Sequence, residues 1–208
     1  MYKKNIKAVL DWILAFVLLI ILSPFIMIII ILLLAGLEGP VFFIHERPGL
    51  HNKPFKMIKF RTMNNKRGPD GELLPNKQRI TKIGAFLRKF SLDEIPQVFN
   101  VINGDLSLVG PRPLEMRYLS YYTIEQIHRH DVKPGITGWA QVNGRNSISW
   151  EEKFKLDIWY VDNLSFKLDM KILYLTFIKV IKHEAVNSDD QNTVVPFDEY
   201  LKTGKTKV

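Results

Sequence analysis

Residues 13–37 read ILAFVLLIILSPFIMIIIILLLAGL, an uncharged apolar run interrupted only by Ser23, Pro24 and Gly36. As one helix it would be about 37 Å long, enough to cross a hydrocarbon core of about 30 Å. A cleaved signal peptide fits poorly. The run is too long, and Gly36-Leu37-Glu38-Gly39-Pro40 is a turn rather than a small-residue cleavage site. Pro24 removes a backbone hydrogen bond in mid-run, and the Ser23 hydroxyl can satisfy a freed carbonyl. Two half-helices bent there would each reach about 17 Å, roughly the bilayer midplane. Lys3, Lys4 and Lys7 precede the run, and Arg47, Lys53, Lys56, Lys59 and Arg61 follow it. Basic residues favour the cytoplasmic side. Both flanks therefore ask for one side, which a re-entrant hairpin satisfies and a crossing helix does not. A kinked spanning helix stays open on these residues alone, because membranes tolerate proline.

The rest of the chain bounds the class. With 208 residues, one domain and an anchor fit. Hydrophobic residues make up 47%, too many for a disordered chain. The net charge of +8 suits nucleic acid, an anionic membrane or phosphorylated small molecules. There is no Cys, which excludes disulfides and thiolate-bound metals.

Outward from the anchor, residues 41–44 read as a short strand. Phe55-Lys56-Met57-Ile58-Lys59-Phe60 alternates as a half-buried strand does. Arg47-Pro48-Gly49-Leu50 between them reads as a turn. Ile83, Phe86, Leu87 and Phe90 share one helical face, as do Ile95, Val98, Phe99 and Ile102, a helix ended by Asn103-Gly104. Residues 106–109 predict a strand and 114–130 a single helix. Residues 133–138 form a loop. Ser149 and Glu152 open a helix to about Asp162, and Ser165 caps another to about His183. That last helix mixes apolar residues with Lys167, Lys171, Lys179 and Lys182. It suits a membrane surface or, equally, ordinary core packing. From residue 184 no periodicity is evident, and a loosely held tail is expected. The fold class is α/β, mostly helical with short strands. Residues 1–40 form the anchor, 41–183 the catalytic domain and 184–208 the tail.

Ser91-Leu92-Asp93-Glu94-Ile95-Pro96-Gln97 places two adjacent carboxylates at a helix start. Ser91 and Glu94 spell a Ser-x-x-Glu capping box, or Asp93 caps with Pro96 in the first turn. A cap needs only one carboxylate, and the pair sits among Lys82, Arg88, Lys89 and Arg112. Adjacent carboxylates can divide labour, one ligating Mg²⁺ and the other attacking phosphorus. Arg88, Arg112 and Arg145 are candidates to grip phosphate, although each alone reads as a solvated charge. Of His45, His51, His128, His130 and His183, only His128 and His130 are close. Their i, i+2 spacing does not share a helical face, so no histidine is read as a metal ligand.

Lys59-Phe60-Arg61-Thr62-Met63, the Ser91–Gln97 stretch, Gly104-Asp105-Leu106-Ser107-Leu108-Val109-Gly110-Pro111-Arg112-Pro113 and Pro134-Gly135-Ile136-Thr137-Gly138 resemble the bacterial sugar transferases called monotopic phosphoglycosyl transferases. The resemblance runs from about Lys3 to Lys182. It is nearest to the small members, in particular the one that uses UDP-N,N'-diacetylbacillosamine in protein N-glycosylation. It implies a re-entrant helix broken at Ser23 and Pro24, monotopic at the cytoplasmic face of the bacterial plasma membrane. It implies Asp93 as nucleophile, Glu94 as Mg²⁺ ligand and Arg112 in nucleotide-sugar binding. Lys59, Arg88, Arg145 and Asp169 are implied as further substrate contacts. The implied partners are a UDP-sugar, a polyprenyl (undecaprenyl) phosphate, the membrane and downstream glycosyltransferases, with no nucleic acid. The implied reaction is transfer of a sugar 1-phosphate, from an N-acetylated amino sugar or else galactose or glucose, with UMP released in a ping-pong cycle. A basic nucleic-acid binder would need a recognisable module, which is missing. A non-catalytic scaffold for envelope-glycan assembly would not need Asp93 beside Glu94.

Overall fold

The computed structural model describes residues 2, 6–36, 39–144, 147–182 and 195–203. The helices are α1 (Lys7–Gly36), α2 (Asn76–Arg79), α3 (Lys82–Lys89), α4 (Gln97–Ile102), α5 (Ile124–Ile127), α6 (Trp139–Asn143), α7 (Trp150–Asp162), α8 (Phe166–Ile181) and α9 (Phe197–Lys202). The strands are β1 (Phe42–Pro48), β2 (Pro54–Phe60), β3 (Ser107–Val109) and β4 (Gly135–Thr137). β1 and β2 form an antiparallel hairpin, and β3 and β4 a short parallel pair. The chain is thus mostly helical with short strands, as the periodicities predict.

α1 is helical from end to end, with Pro24 inside it. Ser23 Oγ donates to the Ile20 carbonyl at 2.8 Å, which serves a backbone oxygen near the proline. The helix break expected at Ser23 and Pro24 is therefore not an interruption of the helix. Most of α1 is apolar and exposed; its buried residues are Lys7, Ala15, Ile26, Ile29 and Leu33. These lie against the rest of the molecule along the whole length of α1. Lys7 Nζ bonds Asp169 Oδ2 of α8 at 2.7 Å, and Ser107 Oγ of β3 donates to Asp11 Oδ2 at 2.7 Å. Ala15 packs in one cluster with Val98 and Val101, while Ile26, Ile29 and Leu33 pack in another with Phe60 and Leu87. At the far end, a methyl on Gly36 would stand 3.1 Å from Ile83 of α3. A helix about 45 Å long is thus held to one body from its first turn to its last residue.

Several expectations need correction. The loop expected over 133–138 contains β4, which pairs in parallel with β3. The turn after β1 falls at Gly49–Lys53, because Arg47 and Pro48 remain in the strand and pair with Phe55 and Pro54. The helix expected over 114–130 is broken. A 3₁₀ segment spans Met116–Tyr121, then Thr123 starts α5 with a capping box to Gln126, and His128–His130 is again 3₁₀. Thr123 holds extended backbone to cap, so the preceding helix cannot run through it. The tail contains α9, whose Phe197 is 2% exposed in a cluster with Tyr118, Tyr122, Trp150 and Phe154. The caps of α7 and α8 are as expected: Ser149 accepts from the Glu152 amide and Ser165 from the Leu168 amide.

Candidate active site

Asp93 and Glu94 lie on a single 3₁₀ turn, Leu92–Glu94, between α3 and α4. The turn is entered through Ser91, whose φ of 55° is left-handed and whose side chain makes no cap. The capping-box reading of Ser91 with Glu94 is thereby corrected. A left-handed residue reverses the chain after α3, and the following turn directs both carboxylates inward. A non-glycine residue held there is worth asking a functional reason for.

Lys59 comes from the end of β2. Asn100 of α4 fixes this strand beside the dyad. Its Nδ2 donates to the Lys56 carbonyl at 2.8 Å, and its Oδ1 accepts from the Ile58 amide at 3.1 Å. One buried side-chain amide thus takes the place of a neighbouring strand. Lys59 Nζ then reaches Glu94 Oε1 at 2.7 Å.

Arg112 comes from the Gly110-Pro111-Arg112-Pro113 segment after β3. This segment is set by contact between backbones. A Cβ on Gly135 would stand 2.1 Å from the Gly110 nitrogen, and one on Gly138 would stand 2.2 Å from the Gly110 oxygen. Only glycine permits that approach, which explains why the two Gly-Pro motifs belong together. The Arg112 carbonyl accepts from Arg129 Nη2 at 2.7 Å. Arg129, 1% exposed, is itself held by Asp157 of α7, with Nη2 2.7 Å and Nε 3.1 Å from Oδ2. Arg112 Nη2 donates to Glu94 Oε1 at 2.6 Å, and Nη1 lies 3.3 Å from Oε2.

The two carboxyls therefore have opposite settings. Burial alone would raise Glu94, but Arg112 and Lys59 outweigh it and hold the carboxyl well below the usual range. Asp93 is pushed up, by burial first and then by the Glu94 charge, against the pull of Lys59, Arg88 and Arg112. Among the described residues, both directed cation contacts go to Glu94. Arg88 stands beside the dyad on α3 and donates through Nε to Thr62 Oγ1 at 2.8 Å. α3 reaches that depth because Gly84 lies on the Thr62 carbonyl, which a Cβ would meet at 2.0 Å.

Lys59, Asp93, Glu94 and Arg112 are thus brought together, with Arg88 adjoining. Arg145 lies outside the described residues. Asp169 is placed elsewhere: 2% exposed, it takes Lys7 Nζ at 2.7 Å, the Tyr2 hydroxyl at 2.6 Å and the Tyr160 hydroxyl at 2.7 Å. Those contacts tie α1 to α7 and α8. Thr62, Asn100, Arg129 and Asp157 are missed by sequence reading. The motif around Thr62 carries a signal for it; the others carry none. Among the described residues no cluster of three or more acidic or histidine side chains exists for a metal. Two adjacent carboxylates still fit Mg²⁺, which commonly takes one or two from the protein and completes its shell with water and substrate phosphate. Glu94 Oε2, with its one longer contact, is the oxygen less committed to cations.

The family model described as bacterial sugar transferase matches residues 2–183. An uncharacterized sugar transferase of Bacillus subtilis, EpsL, is 60% identical over 76% of this chain and 79% of its own length. A UDP-glucose:undecaprenyl-phosphate glucose-1-phosphate transferase of Xanthomonas campestris is 40% identical over 84% of this chain and 38% of its own. An undecaprenyl-phosphate galactose phosphotransferase of Salmonella typhimurium is 37% identical over 86% and 41%. The chain therefore spans about two fifths of the length of these last two relatives.

Proposed function

Because this chain belongs to the bacterial sugar transferases, we propose that it moves a sugar 1-phosphate from a UDP-sugar to undecaprenyl phosphate and releases UMP. The observation that carries this reading is the unequal dyad, one carboxyl tied by two cations and its neighbour left to react. The Asp93 carboxylate attacks the β-phosphorus, the bond to the bridging oxygen breaks, and the electron pair leaves with UMP. The phosphosugar is then bound to Asp93 as an acyl phosphate. An oxygen of the lipid phosphate attacks the same phosphorus, expels the Asp93 carboxylate and forms a polyprenyl diphosphate sugar. Arg112 and Lys59 stabilise charge on the migrating phosphoryl group. Mg²⁺, held by Glu94, would neutralise phosphate charge.

Two of the named relatives carry glucose or galactose phosphate activity in their names. Those sugars stand beside an N-acetylated amino sugar as donors. The anchoring of α1 supports a monotopic placement, and the basic residues on both flanks of its apolar run favour the cytoplasmic face. A helix fastened at both ends to one polar domain cannot cross a bilayer unless that domain enters the lipid as well. Exposed apolar residues of α8, among them Tyr174, Phe177 and Ile181, suit contact with the same surface.

The test is UMP release from a panel of UDP-sugars, with purified protein, Mg²⁺ and undecaprenyl phosphate in nanodiscs. Release that needs the lipid and one sugar establishes the reaction and its donor. Well-folded protein that releases UMP from none of them overturns it.

A further inference from the structure

Beside the dyad lies a cavity of about 60 Å³ lined by Arg47, Met57, Lys59, Gln97, Arg112 and Pro113. A single water needs roughly 10–15 Å³ on such a measure, so the space suits a small oxyanion rather than a nucleoside. The hairpin register explains how Arg47 comes to line it. Phe43, His45 and Arg47 of β1 lie opposite Lys59, Met57 and Phe55 of β2, and directly opposed residues share a face. Phe55 and Met57 are buried on that face, so Arg47 and Lys59 look into the molecule.

The cavity carries three cations. Lys59 and Arg112 are partly neutralised by Glu94. Arg47 is not: its Nε is buried without a hydrogen-bond partner among the described residues. Glu115, the carboxylate acting on it most, is bonded by Arg117 at 2.7 Å. Both ring nitrogens of His45 on the same face are likewise buried without partners among the described residues. Burial, then Arg47, Lys59 and Arg112, pull that imidazole down to about 4, so it adds no charge but registers the field of all three cations. A half-buried guanidinium whose covered Nε donor is idle gains a partner when an anion arrives.

We infer that Arg47, with Lys59 and Arg112, seats the phosphate that is not transferred, the α-phosphate that departs on UMP. This rests on the transferase reading above. A diphosphate whose β-phosphorus lies at Asp93 has its α-phosphate one bridging oxygen away, and Lys59 and Arg112 border both positions. Arg47 then meets the charge that grows on the leaving group. The same oxyanion chemistry belongs to the lipid phosphate, so the experiment separates the two sources.

UMP affinity is measured by calorimetry for wild type, Arg47→Gln and Arg47→Lys in nanodiscs, and KM is measured separately for the UDP-sugar and for undecaprenyl phosphate. Arg47→Gln weakens UMP binding and raises the donor KM by about 10-fold or more. It leaves the lipid KM unchanged, and Arg47→Lys recovers part of the loss. In the wild-type protein, UMP slows modification of Arg47 by phenylglyoxal, read by peptide mass spectrometry; this arm holds even if Arg47→Gln does not fold. Unchanged UMP affinity, a rise confined to the lipid KM, or modification indifferent to UMP overturns the inference. UMP protection of Arg47 in a protein that hydrolyses or transfers no UDP-sugar would instead keep this phosphate seat and sink the transferase reading.

Discussion

Two kinds of buried charge stand in this molecule, built on opposite rules. At Arg129–Asp157 and at Lys7–Asp169 each carboxylate has its cation, and the side chains are almost wholly covered. At the dyad, two carboxylates share a turn and, among the described residues, both directed cation contacts fall on one of them. The first arrangement fastens segments together: Asp157 holds the arginine that holds the Arg112 carbonyl, and Asp169 fastens α1 to the domain. The second leaves Asp93 repelled by its neighbour, which is unfavourable for folding and useful for attack on phosphorus. Buried charge by itself therefore does not mark a site; an unmatched group beside a matched one does.

The largest effect that could break this contrast is on chemistry. Asp93→Asn removes the nucleophile and is expected to lower UMP release by about 10⁴-fold or more. Because it also removes the unmatched charge, its thermal midpoint at pH 7 should equal or exceed that of wild type. Activity within tenfold of wild type would end the nucleophile role.

Next comes the matched pair. Arg129→Met strands Asp157 and should cost about 3–5 kcal/mol, read as a lowered midpoint. Arg129→Met with Asp157→Leu should recover most of that stability, since a buried pair is often replaceable by apolar side chains. Its UMP release per folded molecule should still stay below wild type, because the Arg112 carbonyl has lost its donor. A double variant as unstable as the single one would show that the cost lies in packing rather than in the stranded charge.

The same contrast explains what was legible in the sequence. Asp93 and Glu94 are neighbours, and the caps at Ser149 and Ser165 act across three residues, so each is visible in a short window. Helix periodicity likewise points to α3 and α4, and those two caps open α7 and α8. Arg129 pairs with a residue 28 positions away and Lys7 with one 162 away, and no local pattern announces either. Thr123 shows the reverse error. Its capping box with Gln126 also acts across three residues, yet residues 114–130 read as one helix. Arg47 reads as part of a turn because Pro48-Gly49 follows it, whereas pairing with Phe55 keeps it in β1. Pairing across a hairpin overrides the local turn signal there, and it is what points Arg47 at the site.

The smallest effect is the most discriminating, because it reads the two carboxyls separately by pH. Asp93 is raised and Glu94 lowered relative to their unfolded values, which are about 3.9 and 4.3. For Glu94, the folded state binds its proton less readily than the unfolded state does. Its contribution to stability is fully present above about pH 4.3 and is lost as pH falls towards its folded pKa. For Asp93 the sign reverses. Its ionised form opposes folding above its raised pKa, and that penalty disappears as pH falls through it and below the unfolded value. The gain in midpoint from Asp93→Asn should therefore be greatest near neutral pH and shrink to nothing below about pH 3.9. Wild-type UMP release should fall on the acid side beginning above the ordinary aspartate range, since only the carboxylate attacks. An Asp93→Asn gain that stays constant from pH 7 to pH 4 would mean that the two carboxyls are not electrostatically distinct, and the contrast between matched and unmatched charge would fail at the place where it matters most.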